Sequence, residues 1–85
     1  MSSPNAAELL PDNIPALQEF ITSFDRQLQE LDAELKRLFA MEDPAKGIFF
    51  SQEIHLNRQQ KNQLQVHRQF AQVRLNRLRL EASPF

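Results

Sequence analysis

Ser51 and His55 stand four residues apart, one helical turn, and are the nearest the sequence comes to a nucleophile beside a general base. Acyl-transfer chemistry needs more than that pair: a glycine-rich elbow, an oxyanion nest and a carboxylate to orient the imidazole. None of these accompanies it. His67, the other histidine, is twelve positions from His55, with no Glu-x-x-His motif and no second histidine at i+3 or i+4 to share a metal. There is no cysteine for a thiolate site, and a single glycine excludes most phosphate-cradling and calcium loops. The residues therefore read as non-enzymatic, with no catalytic group, metal, cofactor or small-molecule substrate.

The chemistry left is recognition. Arg68, Arg74, Arg77 and Arg79 follow Arg58 and Lys61 along one stretch, with glutamines and asparagines between them that can meet phosphates or base edges. An accessory nucleic-acid-binding role is the alternative reading. Against it, these cations point to several sides of a helix, the isoelectric point is about 6.1, and no helix-turn-helix or comparable reading motif is present. A solvated helix surface accounts for them more simply.

The elements that carry these residues are helices. Apolar side chains fall at Ile14, Leu17, Ile21, Phe24, Leu28, Leu31, Leu35 and Leu38, alternating spacings of three and four. That fills every a and d position of about four heptads, the pattern of a helix packed lengthwise on another. Ten glutamines, one glycine and no tryptophan or tyrosine complete a composition that favours an all-α fold. Pro11-Asp12-Asn13-Ile14-Pro15 is a turn that can cap a helix of about residues 14–41. Glu42 to Gly47 is the interior break, about 42–47. The second helix, about 48–82, starts either at Pro44, with Asp43 as its cap, or at Ile48. So short a connection gives an antiparallel helical hairpin, coiled-coil-like, over 14–85. Residues 1–13 form a separate N-terminal segment. It is either a short helix begun by Ser3 and Pro4 that docks through Leu9 and Leu10, or a flexible tail.

On the second helix the seam continues through Phe50, Ile54, Asn57, Lys61, Leu64, Arg68, Ala71, Leu75, Leu78 and Ala82. Asn57, Lys61 and Arg68 are polar where the repeat asks for apolar residues, and read as register-setting. Antiparallel pairing makes Asp25 and Asp32 candidate partners for these two cations, Lys61 and Arg68, taken together. A further row, Val66, Phe70, Val73 and Leu80 with Arg77 at its gap, lies roughly 160° around the helix from Leu64, Ala71, Leu75 and Leu78, at 100° per residue. One antiparallel neighbour cannot bury both. The row is the expected partner-binding site, covered by the N-terminal segment, by a second copy completing a bundle, or by a helical protein partner.

Eighty-five residues permit one domain with a small core, which favours oligomers or very regular packing. The net charge of −1 hides an asymmetry: nine acidic and three basic side chains over 1–43, about −6, against two acidic and seven basic over 44–85, about +5. Nothing approaches the roughly 18 apolar residues of a membrane span, and no secretory signal is seen, so a cytoplasmic protein without a membrane partner is expected. The functional expectation is an adaptor, chaperone or regulator acting by helix-to-helix contact.

Overall fold

The computed structural model describes residues 10–82. It contains two long helices, α1 (Ile14–Met41) and α2 (Ser51–Ala82), joined by a connection that includes a three-residue 3-10 turn, Pro44–Lys46. The choice between a short helix and a flexible tail over residues 1–13 falls mostly on residues 1–9, which lie outside the described residues.

α1 starts where the capping chemistry places it. Asn13 is extended (φ −136°, ψ 151°), and its Oδ1 accepts the Ala16 N–H at 2.8 Å. Pro15 follows in the first turn, where a missing N–H costs nothing. At the other end the Glu42 N–H donates to the Phe39 carbonyl at 3.3 Å, and the chain turns out of the helix.

The connection resolves the choice between Pro44 and Ile48 in favour of neither. Asp43 and Ile48 exchange both backbone hydrogen bonds at 2.9 Å, and Gly47 closes the ring in the left-handed region at φ 70° and ψ 26°. Pro44 opens the 3-10 turn rather than a long helix, and Asp43 stands at the cap position of that turn without a side-chain capping bond, its backbone being paired with Ile48 instead. Because Ile48 is held back across the turn to Asp43, the helix cannot begin there. α2 starts at Ser51, after Phe50 has given its N–H to Glu42 Oε2 at 3.0 Å and its carbonyl to the Ile54 N–H at 2.9 Å.

The helices pack as an antiparallel hairpin, since partners rise along α1 as they fall along α2. Leu17, Ile21, Phe24 and Leu38 are buried from α1, and Ile54, Ala71 and Leu75 from α2. Leu28, Leu31 and Leu35 are only half-buried, facing the stretch of α2 where the seam positions are the polar Asn57, Lys61 and Arg68. The core is thickest at the open end, where Leu10 joins Leu17, Ile21, Phe24, Ala71 and Leu75 from a third side.

The three polar seam positions of α2 each find a partner on α1. Asn57 Nδ2 donates to the Leu31 carbonyl at 2.9 Å, Lys61 Nζ meets Asp32 at 2.8 Å, and Arg68 forks onto both oxygens of Asp25. The product is a slab, not a ball. Its radius of gyration is 17.7 Å and its thinnest extent 16 Å, whereas a compact chain of this length has a radius of about 12 Å.

Candidate helix-docking face of the second helix

α2 is 32 residues long and committed to α1 along one side only. Opposite that side Val66, Phe70, Val73 and Leu80 are 47 to 74 % exposed, as the wheel geometry predicts. Arg77, at the gap in the row, is exposed with them.

The row extends beyond Val66 toward the turn. Leu56 is 52 % exposed, and from it Gln59, Gln63, Val66, Phe70, Val73, Arg77 and Leu80 follow at spacings of three and four without a break. This is a second heptad seam on the outer side of α2, with Gln59, Gln63 and Arg77 at its polar positions. Counting back from Val66 in threes and fours finds Leu56; the two glutamines hide it from a search for consecutive apolar positions.

The open end of the hairpin reaches the edge of this face. Leu10, Phe70, Val73, Arg74 and Arg77 line a crevice of about 150 Å³. Arg74 Nη1 donates to the Leu10 carbonyl at 3.0 Å and to Asp12 Oδ1 at 3.2 Å, which ties Leu10 and Asp12 to α2. Leu10 is buried by this arrangement, while Phe70 and Val73 remain about half exposed.

These contacts redistribute the four arginines considered for nucleic acid. Arg68 is held by Asp25, whose carboxylate accepts its hydrogen bond and raises the guanidinium above its ordinary pKa. Arg74 is held by Leu10 and Asp12. Arg77 and Arg79 are exposed and form no ion pair among the described residues. Two positions apart, they point to widely different sides of the helix, about 200° at 100° per residue, so the structure does not bring the four together as one patch.

A second apolar area lies at the closed end, where Phe39, Met41, Ile48 and Phe49 are exposed and the Arg58 guanidinium stands 5.8 Å from the centre of the Phe39 ring. The run Ile48-Phe49-Phe50 is its sequence signal, one that also fits the start of a helix. Ser51 and His55 border this area, both exposed, with no hydrogen bond between them among the described residues. No group of three or more potential metal-ligating side chains occurs among the described residues, and no helix there is long and apolar enough to cross a membrane. No family model matches the chain, and neither a curated protein nor a solved structure matches it significantly.

Proposed function

We propose that this chain is a non-enzymatic helical-hairpin interaction protein, an adaptor, chaperone or regulator, that works by laying the outer seam of α2 against another helix, in a homo-oligomer or with a helical protein partner. One observation supports this above the others: Val66, Phe70 and Val73 are each about half exposed on a helix whose opposite side is already buried. A helix apolar on two sides is stable between two neighbours, and α1 is only one. Covering the rest of each side chain contributes about 1 kcal/mol apiece, roughly half the value of full burial.

The test replaces Phe70 and Val73 together by glutamine. Neither belongs to the α1 seam, so far-UV circular dichroism keeps its helical signal. Sedimentation of the pure protein, and gel filtration of extracts from its own cells, report the assembled mass before and after substitution. The expected result is a mass above the monomer that the double variant loses; monomers in both settings for the unsubstituted chain overturn the reading.

A further inference from the structure

The outer seam is selective in charge. Between Ile54 and Leu80 α2 carries six cations and no carboxylate. Lys61, Arg68 and Arg74 are answered from within the chain by Asp32, Asp25 and Asp12. Arg77 has no such partner among the described residues, and it sits inside the seam, between Val73 and Leu80 and on the wall of the Phe70–Val73 crevice. A helix that covers this row desolvates the guanidinium, and a buried cation left without a partner is strongly disfavoured. The covering helix must therefore bring a carboxylate to it.

A second copy of the chain does not supply that counterpart. Its own α2 row presents another Arg77 and again no acid. Its α1, outside the hairpin seam, exposes Phe20 and then no large apolar side chain until Phe39 and Met41 at its far end, which is not a row.

Resting on the docking role proposed above, we infer that the occupant of the outer seam is an amphipathic helix of a different protein, with aliphatic residues at heptad spacing and carboxylates along its flank, one of them facing Arg77. Leu56 and Leu80 are 24 steps apart, about 36 Å at 1.5 Å per residue, so the contacting helix runs for about 25 residues. Gln59 and Gln63 meet the polar positions of its seam, and Phe70 with Val73 takes its central aliphatic side chain.

The experiment uses the full chain and two fluorescein-labelled 25-residue peptides with the same leucines at a and d positions. One carries glutamate at every flanking position, the other lysine. Fluorescence anisotropy at low salt is expected to show the glutamate peptide binding at least about tenfold tighter, a difference of about 1.4 kcal/mol. Arg77→Glu reverses that preference, Arg79→Glu leaves it in place because Arg79 lies off the row, and the Phe70→Gln, Val73→Gln pair abolishes binding of both peptides. Equal affinity for the two peptides overturns the inference, as does an Arg79→Glu effect as large as that of Arg77→Glu. So does displacement of the glutamate peptide by a 20-base-pair DNA duplex whose own binding Arg77→Gln weakens. A wild-type dimer that the Phe70 and Val73 substitutions disperse overturns the acidic-partner assignment alone and leaves the docking role standing. A monomer that binds neither peptide overturns the acidic-partner assignment, and one that is also monomeric in its own cell extract overturns the docking role.

Discussion

Asn57 on α2 donates to the Leu31 carbonyl of α1 at 2.9 Å while only 3 % of its surface is exposed, and its Oδ1 is buried without a hydrogen-bond partner. An amide at a seam position thus fixes one vertical alignment of the hairpin and leaves one acceptor unmatched. The Leu31 carbonyl belongs to a continuous helix and keeps its intrahelical bond without Asn57. Asn57→Leu therefore removes a buried unsatisfied oxygen and fills the space with carbon. The urea midpoint should stay level or rise by the equivalent of about 1 kcal/mol. Amide NMR spectra should show extra resonances from shifted registers, because the alignment device is gone. A single sharp set of peaks in the variant would show that the remaining seam sets register by itself.

The Arg68–Asp25 pair is different in kind. Both side chains are more than a third exposed, so solvent screens the pair despite its forked geometry. A double-mutant cycle with Arg68→Gln and Asp25→Asn should give a coupling below about 1 kcal/mol that shrinks in 1 M salt. Asp25 raises the Arg68 pKa, so the arginine's share of the coupling is complete below the ordinary guanidinium range and is lost only as pH rises through the elevated folded value. Between pH 6 and 10 the arginine's share should be flat, which urea titrations at those two values check.

At the open end the hydrophobic contact outweighs the polar one. Leu10 is buried in the largest apolar cluster, so Leu10→Ala should lower unfolding free energy by about 2 kcal/mol, the low end for leucine truncation at a site that can relax. Arg74→Gln removes bonds to Leu10 and Asp12 that are partly solvated, and should cost about 1 kcal/mol. Both variants should become more susceptible to proteolysis near residues 10–13. A larger loss for Arg74→Gln than for Leu10→Ala would reverse this ranking.

Gly47 isolates a backbone effect. A Cβ there meets nothing within 4 Å, so Gly47→Ala adds no clash and the cost comes from holding an alanine at φ 70°. Thermal or urea unfolding should report a loss of about 1 kcal/mol. Gly47→Asn should lose less, since asparagine enters the left-handed region more readily.

How far the sequence carries can be read from these same residues. The eight seam positions from Ile14 to Leu38 are unbroken, so α1 and its antiparallel neighbour are visible as a pattern. Asp25 and Asp32 emerge as partners for the two seam cations once the seams are aligned, while which acid meets which cation is decided by packing. The start of α2 is not visible, because Pro44 signals a helix start while the pairing of Asp43 with Ile48 is a tertiary choice made possible by Gly47. The role of Arg74 is hidden for a similar reason: its acceptor is a backbone carbonyl, and every residue has one. Leu56 is missed because Gln59 and Gln63 interrupt the apolar run, although the spacing continues through them.

The clamp between Arg74 and Leu10 joins residues 64 apart in the sequence, the widest separation of any hydrogen bond described. In a hairpin that zips outward from Gly47 this contact forms last and opens first, since each earlier rung shortens the loop the next must close. Substitutions at Leu10 or Arg74 should then speed unfolding while leaving the refolding rate nearly unchanged, and those around the turn should do the reverse. Stopped-flow chevrons of Leu10→Ala and Gly47→Ala would show the two limbs moving separately. The half of α2 nearest the turn, which carries Leu56, would accordingly settle before the half that carries Phe70 and Val73 beside the clamp.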